Sequence, residues 1–212
     1  MPAAMPTKLS LALSICATAG LMLNASPAWA ACGDQARPGV DWSDCRMEKM
    51  NLQSADLAGA DFSGARLDGS SFKHADLTGA NFEDARMRSV VMTRAKMRGA
   101  NLSGALLRGS NLSGVDLTNA DLEDANLSGS FLIETRLEKA NLQDANLQRS
   151  RLSGAKLRGA DLQDAKFDQA DLTGADLTGA DIDGASFFNT KLNNTTWVTG
   201  KRCAPGSVGK CR

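Results

Sequence analysis

The chain has 212 residues, with 24 basic and 24 acidic side chains, one His and no Tyr. Zero net charge removes any global drive toward nucleic acid or an anionic membrane. So little His and Tyr leaves few side chains for general acid–base or nucleophilic catalysis, and the length allows one or two domains.

Residues 1–30 read as a signal peptide. Lys8 supplies a short basic region and Leu9 to Leu23 an apolar one, and Pro27-Ala28-Trp29-Ala30 ends in the small-x-small pattern of a cleavage site after Ala30. The apolar run falls short of the roughly 20 residues a membrane-spanning helix needs. Cys32 follows closely enough for lipidation to be a minor alternative, although Trp29 stands where a lipoprotein box carries Leu. The expected location is periplasmic or secreted. Cleavage would remove Lys8 and Cys16, leaving one more acid than base and four cysteines, Cys32, Cys45, Cys203 and Cys211. An even count in an exported chain suggests disulfides. The organisation predicted is a signal peptide (1–30), an N-terminal cap (31–41), a repeat region (42–199) and a C-terminal cap tail (200–212).

From Trp42 to Trp197 every fifth residue is large and apolar: twenty Leu, five Phe, four Met, two Trp and one Ile. Two residues before it the slot is small, with twenty Ala and four Ser, and two residues after it lies every Gly of this span. A helix turns about 100° per residue, so a five-residue step smears this set around its axis. A flat strand alternates faces, so the same step throws successive Leu to opposite sides. A chain that turns a corner every five residues, closing a square coil in twenty, buries all of them. Gly suits the corners. Ser70, Ser110, Ser130 and Ser150 fall on one twenty-residue grid.

Units such as Ala55-Asp56-Leu57-Ala58-Gly59 and Ala100-Asn101-Leu102-Ser103-Gly104 resemble the pentapeptide-repeat family over residues 40–199. The resemblance implies an all-β, right-handed quadrilateral β-helix of about eight coils. The ends of such a rod expose backbone and core, and here Trp42 and Trp197 open and close the large slot. Cα atoms must lie within about 7 Å to form a disulfide. The cysteines at opposite ends of the rod therefore cannot cross-pair, and the expected bridges are Cys32–Cys45 and Cys203–Cys211.

Function then falls to the outward positions. Ala85 to Ala100 holds a basic belt, Arg86, Arg88, Arg94, Lys96 and Arg98 without an acid, and Arg108 should stack on Arg88. It reads either as an anion or partner site, or as a solvated face paired with acids such as Glu83 and Asp84. One outward column runs Asp41, Asp61, Asn81, Asn101, Asp121, Asn141, Asp161, Asp181, where Asn tempers carboxylate repulsion and calcium is conceivable. Val91, Leu106, Phe131 and Ile133, with Phe188 further on, are apolar in outward slots, and the first four form the candidate contact patch. His74 has no thiol to pair with, and no catalytic residue, metal site or cofactor is expected.

The reading is an exported, non-catalytic structural or interaction rod of the bacterial envelope, with a protein partner of unknown identity and no nucleic acid. A monomer is favoured and the mature chain has no transmembrane segment. The resemblance also implies an alternative, since one branch of the family mimics DNA and binds gyrase. The export signal and the basic belt depart from that branch. A carbohydrate- or calcium-binding surface rod is a further alternative.

Overall fold

The computed structural model describes residues 31–212. The signal-peptide reading of residues 1–30 lies outside the described residues. From residue 40 to residue 199 the chain winds as a right-handed square solenoid whose successive coils pair in parallel at a spacing of twenty residues, as in Asp41–Asp61–Asn81. We number the coils 1 (40–59) to 8 (180–199). The four faces are named by the residue that opens each column: face one at Asp41, face two at Arg46, face three at Asn51 and face four at Asp56.

The five-residue unit is a complete hydrogen-bond account. In the unit 61–65, Asp61 N–H donates to Val40 C=O in the coil below (2.8 Å), and Phe62 and Gly64 donate to Asn81 and Glu83 in the coil above (2.7 and 2.8 Å). Ala65 N–H closes the corner onto Phe62 C=O (3.0 Å). The one remaining donor, Ser63 N–H, is held by the Asp61 carboxylate two residues back (2.9 Å). Every Asp or Asn in that slot from Asp41 to Asp181 makes this same local bond, for example Asp121 to Glu123 N–H and Asn146 to Gln148 N–H, both at 3.1 Å. The D/N preference before each large residue therefore satisfies a backbone donor that neither coil neighbour can reach.

Each corner puts its second central residue in the left-handed region, the requirement of a type II turn. Gly fills many of these positions, but Asp84 (φ 55°), Arg94 (φ 58°) and His74 (φ 57°) adopt the same conformation. The ladder above and below enforces the angle that glycine would take freely. At Gly104 a Cβ would also meet the Asp84 carboxylate of the coil below, which would have to turn aside.

The large and small slots fill one continuous core. Leu57 to Leu177 are almost all fully buried. Aromatics plug both ends: Trp42, Phe62 and Phe82 share one inner column (5.5 and 4.7 Å between centroids), and at the far end Phe187 stacks on Phe167 (5.2 Å) while Trp197, from another column, meets Phe187 edge-on (5.3 Å). Two members of the serine grid, Ser70 and Ser110, repair the corners beneath them. The corners at Met50 and Val90 stand open, with no bond from either N–H to the carbonyl three residues back. Val90 N–H donates instead to Ser110 Oγ (3.1 Å), whose hydroxyl donates to Met87 C=O (2.7 Å). Ser70 does the same between Met50 and Met47.

The ends are closed covalently. A short 3-10 turn, Ala31–Gly33, is tied by Cys32 to Cys45 in the first coil (Cα–Cα 5.6 Å). At the other end, Cys203–Cys211 (Cα–Cα 4.9 Å) shapes a tail that turns back antiparallel on the last coil, Val208 against Lys191 and Arg202 against Thr196. The tail gives Leu192 and Trp197 N–H their acceptors, Ser207 and Lys201 C=O (2.9 and 2.8 Å).

Two outcomes test this account. Ser110→Ala strands a buried N–H and a buried C=O and should lower stability by about 1–3 kcal/mol. In a Val90→Ala background, where the corner can close on itself, that cost should fall by half or more in urea melts, and equal costs in both backgrounds would refute the repair. Acid sensitivity follows from the turn carboxylates. Asp76 is held below its usual range first by the Thr78 hydroxyl, then by the Thr78 N–H and Lys96. Asp116 and Asp176 are pushed up by burial, but Thr118 and Thr178 together with Arg and Lys neighbours outweigh it. Lowered folded values mean stability that is full above the unfolded carboxylate pKa and lost as pH falls from there through the lower folded value. Tm should thus be level near neutrality and drop below about pH 4. Asn at all three positions keeps the turn acceptor and should flatten that drop.

Candidate interaction surfaces

The inward slots are consumed by the core, so chemistry is confined to four outward columns and four corner rows. Reading the chain at a step of twenty, rather than consecutively, separates residues that the sequence groups. The basic belt is the clearest correction. Its arginines climb around one coil: Arg86 and Arg88 lie on face two, Arg94 at the corner after face three, and Lys96 and Arg98 on face four. They do not form one patch. Most are neutralised from a neighbouring coil rather than by Glu83 or Asp84. Arg86 meets Asp68 at 2.8 Å, Lys96 meets Asp76 at 3.1 Å and Arg98 meets Asp116 at 3.8 Å.

Arg88 and Arg108 lie one coil apart on the same corner. Among the described residues neither has a carboxylate within ion-pair distance, and both line one shallow groove at the corner between faces two and three. Arg108 continues into an adjoining groove with Arg149, Asn126 and Asn146. The Oδ1 atoms of Asn126 and Asn146 are used by their turn bonds to Ser128 and Gln148 N–H (3.2 and 3.1 Å), so each amide is left with its donors outward. On coils 3 to 6, residues 86–89, 106–109, 126–129 and 146–149 contain no acid.

The opposite corner, between faces one and two, is the reverse. Glu83, Asp84, Asp121, Glu123 and Asp124 line a groove there at the same height. The acidic column of face one is not a row of bare carboxylates. Asn81 donates to Asp61 (3.2 Å) and Asn141 to Asp121 (3.0 Å). Among the described residues no cluster of His, Cys, Asp and Glu has the arrangement of a metal site.

The apolar patch also divides. Val91 and Phe131 share the column of face three, with Asn111 between them, and Ile133 lies beside Phe131. Leu106 lies on face two, around the corner. Phe131 is half-buried beneath the Arg151 guanidinium, 5.2 Å from the ring centroid. Phe188, 68 % exposed, stands alone on coil 8. His74 is exposed at a corner. Arg149, Arg151 and the acidic groove were absent from the sequence reading. They become visible only when residues twenty apart are set side by side.

The pentapeptide-repeat family model matches residues 39–69, 55–94, 85–124, 120–159 and 155–194, in 8 copies. No curated protein sequence matches the chain significantly. Among solved structures, trypsin-treated QnrB1, a plasmid-mediated fluoroquinolone resistance protein, aligns at a TM-score of 0.59 and 22% identity, over 70% of this chain and 82% of its own. HetL, a protein involved in heterocyst differentiation regulation from the cyanobacterium Nostoc sp. strain PCC 7120, aligns over 82% of this chain and 95% of its own, at 26% identity and a TM-score of 0.37. A pentapeptide repeat protein of the Arabidopsis thaliana thylakoid lumen aligns over 52% of this chain and 66% of its own, at 33% identity and a TM-score of 0.37. With an unbroken five-residue register, a parallel ladder every twenty residues and a family match over most of its length, the chain belongs to the pentapeptide-repeat family.

Proposed function

We propose that the chain is an exported, disulfide-closed, non-catalytic rod that serves protein interaction in the bacterial envelope. The observation that carries this reading is that all four cysteines outside residues 1–30 are spent in two bridges, one at each end of the rod. Disulfides that close structural ends persist in oxidising compartments and are rare in the cytosol. The Cys32 sulfur engaged with Cys45 has no valence left for a lipid, which supports a freely diffusing periplasmic or secreted form released by cleavage after Ala30. Among the described residues no helix is long and apolar enough to cross a membrane.

The surface supports interaction rather than catalysis. Its concave features are open grooves between neighbouring coils, and one of them is lined by charges that include the Arg158–Asp176 pair (3.8 Å). Enzymatic sites for small molecules enclose most of their ligand. The gyrase-binding alternative draws less support from the charge pattern. A DNA mimic needs a continuous negative stripe, and the columns of faces two, three and four carry Arg66 and Arg86, Arg151, and Lys96, Arg136 and Lys156.

The intact mass of the protein recovered from its producing cells tests this reading. The expected species begins at Ala31, weighs four hydrogens less than the reduced chain and takes up thiol label only after reduction. A full-length species with reactive cysteines would overturn export, and the disulfide argument with it.

A further inference from the structure

Face two is bordered along coils 3 to 6 by corners of opposite sign: the carboxylates of Glu83, Glu123 and their neighbours on one side, and Arg88, Arg108 and Arg149 on the other. Between them lies Leu106, the one Leu of the solenoid outside the large slot, half-buried on the outer surface. We infer that this face is self-complementary and that two copies of the rod associate side by side, in parallel, through face two.

The argument is geometric. Lay a second rod against face two after half a turn about an axis parallel to the rod. Left and right exchange and height does not change, so the acidic corner of each copy meets the basic corner of the other. The heights agree. Arg88 and Glu83 belong to coil 3, Arg149 and Asp144 to coil 6, and Arg108 is less than one coil, about 4.8 Å, below Glu123. The same operation sets Leu106 against Leu106 at the centre. A half turn about an axis across the face would instead place acid on acid. The two-fold closes on itself, so the product is a dimer and not a fibre.

The face also excludes poor alternatives. Arg66 and Arg86, which would face their own copies lower on the rod, are already held by Glu48 (3.2 Å) and Asp68 (2.8 Å). The three corner arginines have no carboxylate at ion-pair distance among the described residues, so docking adds ion pairs without breaking any. The contact spans about 20 Å of rod, below the size of a standard stable interface, so the dimer is weak and screened by salt.

Sedimentation of the full chain with its disulfides intact, over a concentration series to about 0.5 mM, reads this directly. In about 50 mM salt the mean mass should rise toward that of two chains, and in about 500 mM it should return to one. Arg108→Glu and Glu123→Arg, both at exposed positions, should each raise Kd at least tenfold, by turning both symmetric contacts repulsive. An equimolar mixture of the two variants restores attraction at both contacts and should dimerise like the parent. A parent that stays monomeric throughout overturns the inference. So does a dimer insensitive to either substitution, as end-to-end stacking would be, or a mixture that stays monomeric. Thermal melting of each variant checks its fold, and the parent's salt dependence stands whatever the variants do.

Discussion

Everything in this structure depends on giving each backbone N–H a partner at a corner repeated every five residues. A buried amide without a partner costs about 1–3 kcal/mol, and a solenoid repeats any such defect at every corner. Four of the five donors in a unit are met by the two adjacent coils and by the corner itself, and where the slot holds Asp or Asn the fifth is met by that side chain. The side-chain pattern follows from this account. The apolar slot is where the corner points inward, the small slot is where two corners approach, and the D/N slot is where a side chain can reach two residues forward. Proline, which has no N–H to give, is absent between Pro38 and Pro205.

That account fails at two places by construction, the first coil and the last. The chain treats them differently. At the start a disulfide anchors a short turn against a core capped by Trp42, which is 2 % exposed. At the finish the tail reverses and pairs antiparallel with faces three and four, while Ile182, Phe187 and Trp197 remain only partly buried. Bridges closing loops this short stabilise each cap by roughly 2–3 kcal/mol in the loop-entropy account. The caps also bear on kinetics, because in a one-dimensional stack unfolding can begin at any coil whose neighbour is missing.

The fold was legible in the sequence because its period is commensurate with no other backbone: neither 3.6 nor 2 divides five residues into one face. The cysteine pairing was legible too, since a rod separates its ends. The serine grid was visible, but its reason was not. That Ser110 answers for Val90 needs knowledge of which carbonyl the hydroxyl reaches. The D/N column was read for its charge, whereas its first role is a turn bond, made equally by Asn141 and Asp121. The outward surface was the least legible part. Consecutive residues such as Arg88 and Lys96 look like neighbours and sit on different faces, whereas Arg108 and Arg149, forty-one positions apart, line one groove.

This separation of sequence distance from surface distance limits what the rod can be. Each column is set independently of the core, because inward and outward slots never exchange. A substitution at Arg108 or Glu123 alters a corner without disturbing a buried contact, so the surface can acquire a charge pattern at almost no cost in folding. The converse also holds. The turn carboxylates cannot be rearranged freely, because their Oδ1 atoms carry the corners. The positions free to vary are those that the backbone does not use: guanidiniums and carboxylates at the corners, and the bridge positions, such as Leu106 and Phe131, where the slot holds neither Asp nor Asn. Among the described residues no side-chain acceptor meets Arg108 or Ile133 N–H. In a fold this economical with its donors, Leu106 and Phe131 each stand in place of a turn bond.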